Sequence, residues 1–206
     1  MYYSIIKAIA TFIFRIFGKM KVVNQMTQPE GGVILAANHI SDLDPPVLAC
    51  ASKRPVYFLA KKELFNNFLA NWFLRSLKAY PLDRDKGDLA AIKQALRILK
   101  SGQILGVFPE GTRSKNGKMQ QAKNGAAFLA MQAKAPIVPV AISGTQAGFK
   151  GLFVGQTRIL VKYGQPISVE EIEEIKNRSD LDNRQKLAMI SNEIMSRIAS
   201  ILEEWQ

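Results

Sequence analysis

The chain of 206 residues holds one histidine, His39, and one cysteine, Cys50. A lone cysteine excludes an intramolecular disulfide and any thiolate-rich zinc site, and it fits a reducing compartment. Within Val47-Leu48-Ala49-Cys50-Ala51 it reads as a small hydrophobe inside a short apolar helix, not as a nucleophile. A lone histidine leaves a single imidazole for proton transfer near neutral pH. No acidic residue precedes Glu30. Nor is there a run of ~20 clean apolar residues of the kind a spanning helix needs. No linker, repeat or low-complexity stretch divides the chain, so its length describes one domain large enough to bury a full core.

What the chain has in excess is positive charge. Its 28 Lys and Arg against 17 Asp and Glu give a formal net charge of +11. Such a balance implies a polyanionic partner: nucleic acid, an anionic membrane surface or a phosphorylated small molecule. At the amino end Tyr2, Tyr3, Ile5, Ile6, Ile9, Phe12, Ile13, Phe14, Ile16 and Phe17 crowd together with Lys7, Arg15, Lys19 and Lys21. Charge spread through and after the apolar part argues against a signal peptide, and Gly18 ends the apolar stretch. Residues 1–21 therefore read as an amphipathic, membrane-interfacial helical segment, preferred over an ordinary core helix, ahead of a domain at 22–206. A second stripe at Leu64, Phe65, Phe68, Leu69, Trp72 and Phe73 has helical spacing and suits either a sheet-packing face or a membrane contact.

Short apolar runs alternate with helical periodicity through the middle of the chain, the pattern of an α/β fold with a sheet flanked by helices. Residues 33–37, 56–59, 104–108 and 137–142 read as buried strands, and 157–163 as a strand alternating inward and outward. Asp88 is placed to cap a helix carrying Leu89, Ile92, Leu96 and Leu99, stopped by Gly102, and Asn124 to start another through Met131. Ser168-Val169-Glu170-Glu171 has the spacing of a capping box. After a break at Ser179-Asp180, Leu187, Ile190, Ile194, Ile198, Ile201 and Trp205 recur on one helical face.

Residues suited to chemistry gather where predicted strands end, which is where open α/β sheets place ligands. Asn38-His39 follows the first strand, and Asp44 precedes Pro45-Pro46. The residue before a proline is biased to an extended or capping conformation, while Pro45 suits the first position of a helix. The turn between would bring the Asp44 carboxylate to the imidazole, fixing its tautomer and leaving the other ring nitrogen as a base. By spacing alone, Asp44 as a simple helix cap beside a structural His39 is an equal reading. Phe108-Pro109-Glu110-Gly111-Thr112-Arg113-Ser114 follows another strand. Its Gly111 admits an anion close to the backbone, Thr112 and Ser114 offer hydroxyls, and Arg113 offers a planar fork for phosphate oxygens. Glu110 would hold that arginine or a substrate hydroxyl.

The Asn38-His39-x4-Asp44 element followed by Phe108 to Ser114 resembles the glycerolipid acyltransferase family, which includes the PlsC-type 1-acyl-sn-glycerol-3-phosphate acyltransferases. Two weaker blocks, Tyr80-Pro81-Leu82-Asp83-Arg84 and Val138-Pro139-Val140-Ala141, occur in the family's order, and the likeness runs from about Val22 to Pro166. The resemblance implies the family's single-domain mixed sheet flanked by helices. It implies that His39 takes the proton from the free sn-2 hydroxyl of 1-acyl-glycerol-3-phosphate (lysophosphatidic acid), with Asp44 orienting the imidazole, to give phosphatidic acid in phospholipid synthesis. Arg84, Glu110, Gly111, Thr112 and Arg113 would hold the acceptor's phosphate and glycerol, with added charge from Lys61 or Lys62. The acyl donor would be an acyl-CoA or acyl carrier protein thioester. Backbone amides after His39 or near Gly111 would stabilise the oxyanion. No metal or other cofactor is expected. The place of action would be the cytoplasmic face of the cell membrane, peripheral or monotopic. Another lysolipid or glycerol-3-phosphate as acceptor is the nearest alternative. A non-catalytic membrane protein or a nucleic-acid-binding protein stands further off, since the basic residues are dispersed and no nucleic-acid recognition motif occurs.

Overall fold

The structure, a computed structural model, describes residues 2–25, 29–82, 88–114, 116–155 and 157–205. Its centre is a seven-stranded sheet of β1 (Lys21–Val23), β2 (Val33–Ala37), β3 (Val56–Lys61), β4 (Ala79–Leu82), β5 (Ile104–Val107), β6 (Ile137–Ser143) and β7 (Leu160–Tyr163), ordered β1-β7-β6-β2-β5-β3-β4. All neighbours pair in parallel except β6 and β7. The five strands read from apolar runs are all present, the last of them trimmed to four residues. The short edge strand β1, partly exposed along its length, was not anticipated. Its three residues are too few to show a period. At the other edge β4 carries Pro81, which an edge strand tolerates because one side of its backbone needs no ladder bond.

Every residue of β2 is buried, as in a parallel strand covered on both faces. One face meets α4 (Asp88–Lys100), α5 (Gly125–Ala133), α7 (Val169–Lys176) and α8 (Asn183–Glu203) through Ile34, Ala36, Leu105, Ile137, Ile194 and Ile198 among others. The other face meets α1 (Tyr2–Ile16), α2 (Asp44–Ala51), α3 (Phe68–Ser76) and α6 (Gly148–Phe153) through residues including Val33, Leu35, Val47, Leu48 and Leu152. Capping boxes open both carboxyl-terminal helices. Ser168 pairs reciprocally with Glu171 at α7, as its spacing predicts, and Asp182 does the same with Gln185 at α8.

The amino-terminal helix has two faces. Phe14 is buried, and Ala10 and Ile13 pack against the core beneath it. Tyr2, Ile5, Ile9, Phe12 and Ile16, spaced three and four apart, stand exposed. The second stripe resolves into a short 3-10 helix, Lys62–Phe65, and α3. Phe65 and Leu74 of that region pack on the core, while Phe68, Leu69, Trp72 and Phe73 face outward. Phe17 meets Phe153, just past α1 and at the end of α6, with ring centroids 5.4 Å apart. Exposed apolar side chains of α1, α3 and α6 thus lie on the same side of the sheet. No helix among the described residues is long and apolar enough to cross a membrane.

Gly106 in β5 is bare because the Phe58 ring lies across it: a Cβ there would fall 2.3 Å from a ring carbon. Gly106→Ala is expected to displace that ring and cost about 1–3 kcal/mol, a value typical of overpacking a tight core. Urea unfolding of the purified variant measures it.

Candidate active site

The carboxyl end of β2 lies between the ends of β5 and β6, so loops from both neighbours close over it. Asn38, the first residue beyond β2, is buried and extends the ladder with its side chain. Its Nδ2 donates to the Ile142 carbonyl and its Oδ1 accepts from Ile142 N–H, each at 2.8 Å. This fixes the chain at the point where His39 departs.

Asp44 is fully buried. Contrary to the pre-proline expectation, it is the first residue of α2 and not an extended cap: Leu43, at the cap position, has φ −77° and ψ −17° and makes no side-chain cap bond. The prolines explain why no cap is needed. Pro45 and Pro46 have no N–H, Asp44 N–H donates to the Ser41 carbonyl, and Val47 N–H donates to that of Leu43. With the helix end satisfied, the carboxylate turns to the preceding loop. Its Oδ2 accepts from Ile40 N–H and Ser41 N–H, both at 2.7 Å, and stands 2.9 Å from His39 Nδ1. Its Oδ1 accepts from Thr145 Oγ1 at 2.6 Å. An acceptor-only carboxylate oxygen requires that Nδ1 carry the hydrogen, so Nε2 keeps its lone pair. The imidazole stacks on Phe108, centroids 4.2 Å apart at 24°, and Phe58 continues the stack behind it.

Glu110 is also buried, and neither of its oxygens reaches Arg113. Oε1 accepts from His39 N–H and Oε2 from Gln120 N–H, both at 2.9 Å. Ser114 N–H donates in return to the His39 carbonyl at 2.8 Å. The loop after β5 is thereby stitched to the backbone on both sides of the imidazole. Gly111, at φ +73°, closes the turn with its N–H on the Phe108 carbonyl, and the Lys123 side chain crosses where a Cβ would be, its Cδ 2.9 Å from that point. Thr112 is exposed at the loop's tip. Arg113 pairs with Asp42 at 2.6 Å, but both are well exposed, and such a pair is worth about 0–1 kcal/mol. A phosphate could take the guanidinium at little cost.

Of the residues singled out in the sequence, His39, Asp44, Glu110, Gly111, Thr112 and Arg113 converge at one end of the sheet. Lys61 does not join them. Alternation along β3 puts it with Tyr57 and Leu59, which pack in the opposite layer. Arg84 lies outside the described residues. The amides of Ile40, Ser41 and Gly111 are already engaged, so they are not the free donors an oxyanion needs. Among the described residues Thr112 and Arg113 retain backbone N–H groups without a protein acceptor. The sequence reading missed Thr145. Its one available signal was a place just beyond a buried strand, and only the pairing of β6 with β2 brings it to Asp44. Among the described residues no three His, Cys, Asp or Glu side chains are disposed to hold a metal ion.

Comparison with known proteins follows the same lines. Residues 19–143 match the family described as Acyltransferase. The chain is 29% identical to the 1-acyl-sn-glycerol-3-phosphate acyltransferase of Bacillus subtilis, over 92% of this chain and 91% of that enzyme. It is 33% identical to the Streptococcus pneumoniae protein of the same name, over 89% of this chain and 64% of the relative. Among solved structures, the 1-acyl-sn-glycerophosphate (LPA) acyltransferase PlsC of Thermotoga maritima superposes with a TM-score of 0.74 at 25% identity, covering 98% of this chain and 79% of that one. The pair of partly exposed His39 and buried Asp44, the loop from Glu110 to Ser114 and the mixed sheet that joins them thus sit in a chain that belongs to the glycerolipid acyltransferase family.

Proposed function

We propose that this protein is a 1-acyl-sn-glycerol-3-phosphate acyltransferase, moving a fatty acyl group from an acyl-CoA or acyl carrier protein thioester to the sn-2 hydroxyl of lysophosphatidic acid at a membrane surface. The observation that carries this reading is the His39–Asp44 pair, in which Nδ1 is held by a buried, fully satisfied carboxylate. Nε2 takes the proton of the acceptor hydroxyl as its oxygen attacks the thioester carbonyl, and Asp44 supports the imidazolium that forms. When the tetrahedral intermediate collapses, the carbon–sulfur bond breaks and the leaving thiolate takes the proton from the imidazolium, which returns to its neutral form. The Thr112 and Arg113 amides, which have no protein acceptor among the described residues, would donate to the developing oxyanion. Arg113, released from Asp42, holds the acceptor phosphate and so positions the hydroxyl. The thioester is already activated, and no cofactor enters these steps.

The outer face supports a reading of the place of action. Ile5, Ile9 and Phe12 on α1 and Phe68, Leu69 and Trp72 on α3 are exposed on the side of the sheet that carries the imidazole. Seated in the lipid interface, peripheral or monotopic on the cytoplasmic leaflet, they would present His39 to an acceptor that never leaves the bilayer.

His39→Ala is expected to lower turnover about 10²–10⁴-fold, the usual worth of a general base, while circular dichroism and vesicle binding stay as in the wild type. Near wild-type turnover would remove the base assignment. Arg113→Ala is expected to raise KM for lysophosphatidic acid by roughly ten- to a hundredfold, the loss of a charge-assisted contact, with a much smaller effect on lysolipids lacking a phosphate monoester. Replacing Ile5, Ile9 and Phe12 together by Gln leaves the buried face of α1 intact and is expected to abolish sedimentation with neutral vesicles. Deleting the whole helix would be a poorer test, because Phe14 belongs to the core.

A further inference from the structure

A cleft of about 610 Å³ opens between α1 and the carboxyl end of α2. Three cations line it, Lys7, Arg15 and Lys53, and among the described residues none of its lining is acidic. Thr11 and Cys50 lie at its wall, and Ala8 opens onto it from α1. Lys7 is half-buried, and its ammonium donates to the Ser52 carbonyl, a neutral acceptor. Burial depresses the pKa of that ammonium, and the charge-linked influence of Cys50 acts against the shift without cancelling it. The same burial pushes the Cys50 thiol up, so it supplies no thiolate at neutral pH. A desolvated cation flanked by two more, with no counter-charge, is a site that an anion would complete.

The surroundings select the kind of anion. Phe12 belongs both to the cleft and to the exposed stripe of α1 that includes Ile5 and Ile9. A dissolved phosphate ester would leave that apolar border bare, whereas a bilayer lipid would cover it with its own chains while placing its headgroup among the cations. The cleft also stands apart from the reaction. Cys50 is six residues from Asp44 along α2, about 9 Å by helical rise, and the helix runs away from His39.

We propose that this cleft binds the phosphate of an anionic bilayer phospholipid that is not the reacting acceptor, held by Lys7, Lys53 and Arg15. The proposal rests on the reading of α1 as seated in the lipid interface. Occupancy would hold α1 in one orientation on the leaflet and make docking of the enzyme depend on anionic lipid. Phosphatidic acid, the product assigned above, is itself a lipid of that class.

The test is sedimentation with phosphatidylcholine vesicles, with and without phosphatidylglycerol, at one near-physiological ionic strength. Four proteins are compared: wild type, Lys7→Met/Lys53→Gln, Ala8→Trp, and Lys93→Gln/Lys100→Gln, which removes as much charge from the exposed side of α4 in the opposite layer. The first pair is expected to lower affinity for the anionic vesicles roughly thirtyfold, at about fivefold per cation, and to leave binding to neutral vesicles unchanged. Ala8→Trp fills the cleft without altering charge, and it is expected to lose the preference for anionic vesicles while binding neutral ones as well as before. The α4 pair is expected to change either affinity less than twofold. Equal losses for the two lysine pairs, or an Ala8→Trp protein that keeps its anionic preference, would overturn the site and leave α1's membrane contact standing. Wild type that binds neither vesicle would overturn the membrane reading itself. Inorganic phosphate that protects the cleft variant's wild-type parent from vesicle binding only by raising ionic strength is the expected control result; displacement by phosphate beyond a matched chloride control would assign the cleft to soluble phosphate and overturn the lipid assignment.

Discussion

A carboxylate with no exposed surface, Asp44, organises the end of the sheet where His39 stands. An isolated buried charge would be costly enough to be neutralised, but here two backbone amides, a hydroxyl and an imidazole surround it. Each of these donors is brought by a different requirement. The amides of Ile40 and Ser41 come from the tight turn itself, the imidazole from the residue that leaves β2, and the Thr145 hydroxyl from beyond β6. The two prolines behind Asp44 matter as much as the donors, because a helix end with ordinary N–H groups would compete for the same oxygens.

Glu110 does for the second loop what Asp44 does for the first. By accepting from His39 N–H and Gln120 N–H it ties the strand end that carries His39 to the loop that carries Arg113. The strand order makes this economical. With β2 between β5 and β6, the loops that follow three neighbouring strands meet at one end of the sheet, and their relative positions inherit its rigidity. Charge in this site is therefore of two kinds. Asp44 and Glu110 are buried and fully engaged in fixing geometry, while Arg113 and Asp42 are exposed, weakly paired and free to exchange partners.

The parts of this arrangement that are local in sequence were legible there. Asp44 follows His39 by five positions, the loop after β5 is contiguous, and the capping box links Ser168 to Glu171 three positions on. What could not be read depends on which strands become neighbours. Thr145 lies 101 positions from Asp44, and Asn38 meets Ile142 across 104. Glu110 shows the limit most clearly. Its residue type and place suggested an arginine or a substrate as partner, whereas burial left it only backbone donors to accept from. Alternation along β3 likewise sends Lys61 into the layer away from the imidazole, a consequence of strand period that mere proximity in sequence concealed.

The two faces of the sheet divide the labour. Helices α4, α5, α7 and α8 bury one side with aliphatic residues and close it to solvent. On the other side α1 spends one face on the core and leaves the next uncovered, α3 leaves its aromatic stripe outward, and the His39 ring sits in that same layer against Phe108. Exposed aromatic and aliphatic residues on this scale are costly for a surface that meets only water. Their cost is offset if the same surface is solvated by lipid. A reaction whose acceptor and product both carry acyl chains then needs no transfer through water, only a base held at the height where headgroup meets chain. The excess positive charge and the lack of acids in the first helix would answer the same requirement, since a surface seated among phosphates would gain nothing from carboxylates of its own.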